Sequence, residues 1–254
     1  MAKQLIYQVK VGQTPAFYDT CIASVKRYCD RIGADHIVQT EPKLRIAPKR
    51  SYRSVNALRL GYLPIMEKAC AFERLGEYDQ VAIVDADIYV KDSAPNLFDE
   101  RGAQFAGVLE RDMPSTDKHR DKLRKYSEGQ YGLLTAVDWR WDELGAAFYN
   151  MGMMLLDASI AQHIGGTPEE FLRRPEFERF VNGEGHWKWS TDQTLLNFWV
   201  KQSGMSVRNL SWKWNTLYGA VHDDAIRDAY FVHFFLAAKM PQGGAEIPGL
   251  IAKL

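Results

Sequence analysis

The sequence lacks the features that mark several classes of protein. It has only three cysteines, Cys21, Cys29 and Cys70. Their odd number and spacing favour small core residues over a disulfide framework or a zinc site. No segment approaches the ~18 consecutive apolar residues of a membrane span, and polar residues interrupt the first eleven positions, where a secretory signal needs an apolar block. We therefore expect a cytoplasmic protein without a membrane span.

The chain also lacks net charge, because 32 basic residues balance 32 acidic ones. Proteins that bind nucleic acid or an anionic membrane over a whole surface need surplus lysine and arginine. We therefore expect no nucleic-acid partner. The 254 residues are 46% hydrophobic and 25% charged, as in ordinary globular proteins. A chain of this length can bury one large core or two small ones.

The hydrophobic pattern alternates between the periods of strands and helices. Strands are predicted at 5–9, 36–38, 80–84, 104–109, 151–157 and 230–236, and helices at 18–32, 54–75 and 191–201. Gly33 should end the first helix, and Pro64 should kink or break the second. Residues 110–141 have no clear period and are interpreted as an irregular surface segment or an active-site lid. The alternation predicts an α/β fold, and residues 1–254 are predicted to form one domain.

Two aspartates follow the buried strand 80–84. The carboxyl ends of strands in open α/β sheets are where ligands bind, and carboxylate oxygens suit Mg²⁺ or Mn²⁺. Asp85 and Asp87 are therefore a candidate metal site, with a solvated turn as the alternative. His233 lies in an apolar run, where a histidine is more often a hydrogen-bonded core residue. It becomes a candidate ligand if its strand ends beside the two aspartates.

A local positive patch lies between Glu41 and Glu67, a segment without acidic residues. Its members are Lys43, Arg45, Lys49, Arg50, Arg53 and Arg59. In a neutral protein this segregation suggests a phosphate or pyrophosphate ligand, and the alternative is a solvent-facing basic loop. Lys239 follows His233 closely enough to reach an anion held by a metal there, unless it is a surface lysine.

Polar residues also begin two of the later elements. Asn150 and Gly152 lie at the mouth of strand 151–157, where an amide can bind a hydroxylated ligand and glycine lets a backbone come close. Asp192 and Gln193 come at the start of a predicted helix. A capping role could explain the aspartate, but capping does not require the glutamine.

In this order the residues resemble the metal-dependent GT-A glycosyltransferases, most closely glycosyltransferase family 8 and its relatives. The matching blocks are Asp85-Ala86-Asp87, Asn150-Met151-Gly152, Asp192-Gln193, and His233 with Lys239. The resemblance implies a single-domain GT-A fold, with a Rossmann-like nucleotide-binding mixed sheet flanked by helices. The chain departs from the family at Leu236, where the family has glycine, and at Met240-Pro241, where it has Pro-Trp. The phosphate-binding end is therefore expected to be built differently.

The resemblance also implies roles for these residues. Asp85, Asp87 and His233 would bind Mn²⁺, or Mg²⁺ as the alternative ion, against the diphosphate of a nucleotide-sugar donor. The implied donor-binding residues are Asn150, Gly152, Lys239, Arg53 and Arg59. Asp192 and Gln193 would lie at the reaction centre and stabilise an oxocarbenium-like sugar.

The implied activity is that of a hexosyltransferase-like enzyme. It would transfer a sugar from a nucleotide-diphosphate donor, a UDP-sugar by analogy with the family, to a saccharide or glycoconjugate hydroxyl with retention. The seven tryptophans, all between Trp139 and Trp214, include Trp-x-Trp pairs that could stack on acceptor sugars or pack in the core. Two alternatives remain: a nucleotidyltransferase, although segment 11–15 is poor in the glycine of a phosphate loop, and a non-catalytic sugar-nucleotide or carbohydrate binder.

Overall fold

A mixed sheet forms the core of the fold. The computed structural model describes residues 2–46, 64–189, 192–235 and 244–254. Six of the described strands form this sheet in the order β2-β1-β3-β6-β5-β7. They are β1 (Gln4–Val9), β2 (Asp35–Gln39), β3 (Gln80–Val84), β5 (Phe105–Leu109), β6 (Tyr149–Asp157) and β7 (Val207–Asn209). Strand β1 pairs in parallel with β2 and β3, whereas β6 is antiparallel to both of its neighbours.

After β3 the chain enters a second, smaller sheet. It contains β4 (Ile88–Val90), β8 (Thr216–Leu217) and β9 (Phe231–His233) in the order β4-β9-β8. Strand β9 is antiparallel to β4 and parallel to β8. Because only three residues, Asp85-Ala86-Asp87, separate Val84 from Ile88, the two sheets meet where β3 ends.

The helices cover both faces of the large sheet. The α-helices are α1 (Phe17–Ile32), α2 (Asp117–Tyr131), α3 (Pro168–Leu172), α4 (Glu178–Asn182), α5 (Asp192–Gln202), α6 (Asp223–Asp228) and α7 (Ile247–Ile251). A long 3₁₀ helix spans Pro64–Gly76. Among the described residues, no helix combines the length and apolarity that a bilayer crossing would require.

Alternate residues of the buried strands serve two separate cores. In β3, Val81 and Ile83 face the core that contains the 3₁₀ helix Pro64–Gly76 and α5, whereas Ala82 and Val84 face the core that contains α1. This is the side-chain alternation of a strand covered on both faces. The α/β prediction is therefore confirmed, and Gly33 ends α1 in the left-handed conformation, at φ 74°.

Three predicted elements need correction. Residues 110–141 are not irregular, because α2 occupies the middle of this segment with Thr116 as its N-cap. The described part of the predicted helix 54–75 is the 3₁₀ helix that begins at Pro64, and residues 54–63 lie outside the described part. The final apolar strand is shorter than 230–236: β9 ends at His233, within the small sheet.

Candidate metal centre

Two aspartates and a histidine meet where the two sheets join. Asp85 directly follows β3, and its N–H donates to the carbonyl of Gly152 in β6 at 2.7 Å. Asp87 directly precedes β4, and its carbonyl accepts from the N–H of Phe234 at 3.0 Å. His233 pairs with Ile88 across β4 and β9. The small sheet therefore brings His233 to the aspartates, as the family resemblance implied.

The geometry of the three side chains suits one cation. Each offers a ligand atom, and these atoms lie within 4.8 Å of one another. Nε2 of His233 is 3.2 Å from Oδ1 of Asp87 and 3.8 Å from Oδ2 of Asp85. Two carboxylates with one imidazole form a borderline donor set that fits Mn²⁺, and the oxygen ligands also accept Mg²⁺.

The electrostatics of the site favour an added positive charge. Burial raises the pKa of the Asp85 carboxyl to about 6, although Lys68 opposes the shift. Burial also acts to lower the pKa of the His233 imidazole, but the carboxylates of Asp87 and Asp85 outweigh it, so this pKa is raised. Both pKa shifts arise where carboxylates are buried close together, and a bound cation would neutralise their negative charge.

Gly152 makes room for the histidine. Strand β6 bulges here, because Gly107 of β5 pairs with Met154 while the next residue, Val108, pairs with Asn150. The bulge leaves residues 151–153 without paired residues in β5. A Cβ at position 152 would overlap Cε1 of His233 and lie 2.7 Å from its Nδ1. The glycine therefore allows a close approach, and in this structure the approaching group is the His233 ring.

A buried lysine, Lys68, joins the candidate ligands to Asp192. Its Nζ lies 2.6 Å from Oδ1 of Asp85 and 2.8 Å from Oδ2 of Asp192, and it donates to the carbonyl of Met151 at 3.0 Å. Burial acts to lower the pKa of Lys68, but the two carboxylates outweigh it and raise this pKa above its usual value. Sequence reasoning missed Lys68; its only signal was a Glu-Lys pair inside an otherwise apolar run.

The predicted reaction-centre residues begin α5. Asp192 is buried against Lys68, and Oε1 of Gln193 accepts from the N–H of Met151 at 3.3 Å. Nε2 of Gln193 donates to the hydroxyl of Tyr126 in α2 at 3.5 Å. The α2 helix, which the sequence analysis interpreted as irregular, therefore packs one wall of this region.

A chain of side-chain hydrogen bonds runs from the histidine away from the carboxylates. Nδ1 of His233 lies 3.0 Å from Oδ1 of Asn215, and Nδ2 of Asn215 donates to Oδ1 of Asn150 at 2.9 Å. Nδ2 of Asn150 then donates to Oε2 of Glu110 at 2.9 Å. Oδ1 of Asn150 also accepts from the N–H of Gly152, so only an amide hydrogen of Asn150 remains for a ligand. Asn215 and Glu110 were not predicted from the sequence.

Several predicted ligand-binding residues lie outside the described residues. They are Lys49, Arg50, Arg53, Arg59 and Lys239. Of the positive patch, Lys43 and Arg45 are described, and both are exposed. The Arg45 guanidinium donates to the carbonyl of Pro42 at 3.3 Å, and the backbone carbonyl of Arg45 accepts from the Arg173 guanidinium at 2.7 Å.

Most of the described tryptophan side chains pack in the core. Trp139, Trp187, Trp199 and Trp214 are buried, and Trp212 is partly buried. The pair Trp212–Trp214 lies in a 3₁₀ turn rather than on a strand. Trp141 is the exception among the described side chains, with 46% of its surface exposed. Packing, the alternative to sugar stacking, therefore accounts for these residues except Trp141.

Comparison of the whole chain with known proteins gives matches in structure but not in sequence. No protein-family model matches the chain, and no curated protein matches its sequence. A solved structure of a glycosyltransferase involved in the glycosylation of the major capsid of PBCV-1 has a TM-score of 0.56 at 11% identity, with 99% of this chain and 100% of that chain covered. The apo structure of the bifunctional glycosyltransferase WbbM has a TM-score of 0.53 at 15% identity, with 92% of this chain covered.

The chain has the GT-A glycosyltransferase fold. The predicted fold class is thereby confirmed, and it covers nearly the whole chain. The chain spans about half of WbbM, since 46% of that protein is covered. Within this GT-A fold the candidate metal centre lies at the carboxyl end of β3, where open α/β sheets bind ligands. The narrower resemblance to glycosyltransferase family 8 stays a prediction.

Proposed function

We propose that this protein is a metal-dependent glycosyltransferase. It transfers a sugar from a nucleotide-diphosphate donor to a saccharide or glycoconjugate hydroxyl. One observation carries the proposal: in a GT-A fold, the side chains of Asp85, Asp87 and His233 converge at the carboxyl end of β3 with ligand atoms within 4.8 Å of one another. We assign these three residues to a Mn²⁺ site that also accepts Mg²⁺.

The cation's contribution is electrostatic. A divalent ion bound to these side chains would neutralise the charge that develops on the diphosphate leaving group. We assign further neutralisation to Lys239, Arg53 and Arg59, on the family resemblance. The resemblance also supports UDP as the nucleotide and retention as the stereochemical outcome.

The residues of the chain hold the remaining parts of the reaction centre in place. The ammonium group of Lys68 pairs with both Asp85 and Asp192 and so holds the Asp192 carboxylate in place. Asp192 is therefore a preorganised negative charge. Such a charge stabilises an oxocarbenium-like sugar. The side-chain oxygen of Gln193 is held by the backbone of Met151, which leaves its amide directed to Tyr126. We assign Asn150 and Gly152 to the donor-sugar side of the same centre.

The proposal is tested first by binding. Thermal unfolding is followed with UDP, GDP, CMP and a set of UDP- and GDP-sugars, each with and without Mn²⁺. A ligand that binds only the folded state raises its stability by about RT ln(1 + [L]/Kd), or about 2.7 kcal/mol at 100 Kd. We expect a Mn²⁺-dependent rise in Tm with UDP and one UDP-sugar. No rise with any nucleotide would contradict the proposal.

Turnover then separates an enzyme from a binder. Release of UDP from the stabilising donor is measured with and without a saccharide acceptor, and NMR of the product reports its anomeric configuration. Asp87→Ala and His233→Ala are expected to abolish Mn²⁺-dependent release with the fold retained. Normal activity and Mn²⁺ affinity in either variant would exclude the assigned site, and Mn²⁺-dependent binding without any release would identify a non-catalytic binder.

A further inference from the structure

Asn215 is buried beside the candidate metal centre, directly before β8, where its side chain contacts Nδ1 of the histidine ligand. Strand β9 lies between β4 and β8, so His233 has Asp87 on one side and Asn215 on the other. An imidazole can bind a cation through Nε2 only if that nitrogen carries a lone pair rather than a proton. The proton must then reside on Nδ1, the nitrogen that faces Asn215.

The donors and acceptors of the surrounding groups fix how the two asparagine amides point. A carboxylate only accepts and a backbone N–H only donates. The Nδ2 of Asn150 therefore faces Glu110 at 2.9 Å, and its Oδ1 faces the N–H of Gly152 at 3.1 Å. Both ends of the Asn150 amide are thereby determined.

The orientation of Asn150 determines that of Asn215. The backbone carbonyl and Oδ1 of Asn150 are both acceptors, and they lie 3.2 Å and 2.9 Å from the same atom of Asn215. That atom must be the amide nitrogen, Nδ2. The remaining atom, Oδ1, therefore faces Nδ1 of His233 at 3.0 Å and can only accept. A lone pair on Nδ1 would meet a second acceptor at this distance.

We propose that Asn215 is a positioning residue that holds the His233 proton on Nδ1 and so presents Nε2 as a metal ligand. The inference rests on the proposed metal-dependent function and adds to it a residue outside the ligand set. Metal-binding histidines commonly donate their second N–H to such an acceptor, and loss of the acceptor typically lowers metal affinity by 10–100-fold.

The first test measures Mn²⁺ binding alone, by calorimetry or by electron paramagnetic resonance of the free ion. Asn215→Leu removes the acceptor with little change in size, and we expect its Kd for Mn²⁺ to rise by about 10–100-fold. Asn215→Asp keeps an acceptor toward Nδ1, and its protonated carboxyl can donate to Asn150 as the amide does, so this variant should bind Mn²⁺ more tightly than Asn215→Leu. The matched control is Asn197→Leu, which removes another fully buried amide that bonds to Tyr149 instead. It should keep the wild-type Kd.

The second test needs no variant of Asn215. In protein labelled with ¹⁵N-histidine and saturated with diamagnetic Mg²⁺, long-range ¹H–¹⁵N correlation identifies which nitrogen of His233 carries the proton. We expect it on Nδ1. A proton on Nε2, or an equal loss of Mn²⁺ affinity in Asn215→Leu and Asn215→Asp, would overturn the inference. If the wild type bound no Mn²⁺, the proposed metal site itself would fail, which is a distinct result.

Discussion

At the scale of single residues, the site depends on close packing between groups that are distant in sequence. Gly152 contacts both Asp85 and His233. Its carbonyl accepts from the N–H of Asp85, and its lack of a side chain leaves space for the His233 ring. The family resemblance implied that these three residues belong to one site. It did not predict why residue 152 is glycine, because the group that approaches it is an imidazole from β9.

Replacing that glycine should displace the histidine. In Gly152→Ala the added methyl would overlap the His233 ring, and β6 is held at this point by the pairing of Met153 with Val84 and by the bond from the Asp85 N–H to the Gly152 carbonyl. We expect the Kd for Mn²⁺ to rise by about tenfold or more, as for loss of a group that orients a ligand. Calorimetric titration measures it.

Gly129→Ala is the control for this substitution. Gly129 is exposed in α2, and a Cβ there meets nothing within 4 Å. The control should keep its Mn²⁺ affinity and gain about 0.5–1 kcal/mol of stability from the helix propensity of alanine. Wild-type Mn²⁺ affinity in Gly152→Ala would show that the ring does not need this space.

The buried Lys68 should matter for stability as well as for the site. In Lys68→Met the carboxylates of Asp85 and Asp192 would lose the ammonium group between them. Removal of one partner of a buried ion pair costs about 3–5 kcal/mol, because an uncompensated charge stays buried. Urea unfolding should therefore show a lower free energy of unfolding by about this amount.

Lys26→Met provides the comparison. Lys26 pairs with Asp30 four residues later on α1, and both side chains are exposed. Exposed pairs of this kind contribute about 0.3–0.5 kcal/mol. Equal losses in the two variants would mean that the Lys68 pairs are screened like those at the surface.

At the scale of elements, the prediction was most accurate for strands buried on both faces. Strand β3 coincides with its predicted bounds at 80–84. A nearly continuous apolar run with β-branched residues is typical of a strand that is covered on both faces. The α2 helix was missed because its inner face is polar. His119, Leu123, Tyr126 and Gln130 share that face at helical spacing, and three of the four make polar contacts, so no apolar period marks the helix.

A polar helix of this kind depends more than most on its ends. Thr116 caps α2 by accepting from the N–H of His119 at 3.4 Å. We expect Thr116→Ala to lower the free energy of unfolding by about 1 kcal/mol and to speed amide exchange in the first turn of α2. Thr116→Ser retains a hydroxyl and should stay near the wild type. Unchanged exchange in Thr116→Ala would show that the cap adds nothing to the packing of the helix.

At the scale of the whole molecule, the site joins segments that the sequence does not connect. Asp87 and His233 could be predicted to meet only through the family resemblance, since no local pattern gives the pairing of β4 with β9. Lys68 and Asn215 could not be predicted, because their roles depend on which polar groups face them across the two sheets. Local periodicity determines the elements, whereas their pairing determines which polar side chains are satisfied by one another.

The same polar pairing couples stability to pH. His36 in β2 lies 2.8 Å from Oε1 of the fully buried Gln8, whose amide donates to the carbonyl of Asp85 at 3.1 Å. Burial lowers the pKa of His36 to about 4, and the nearby Lys26 contributes in the same direction. The folded protein therefore keeps this imidazole neutral at pH values where the unfolded chain protonates it.

The sign of the effect follows from this difference. Between pH 6.5 and about 4 the unfolded chain binds a proton at residue 36 that the folded protein does not, so the free energy of unfolding decreases as the pH falls. His36→Gln retains an amide donor for Gln8 and has no proton to bind, so its unfolding free energy should decrease less steeply over this interval. Urea unfolding of both proteins at several pH values measures the two slopes, which should coincide above pH 7. Equal slopes from pH 6.5 to 4 would mean that His36 takes up its proton in the folded protein as readily as in the unfolded chain.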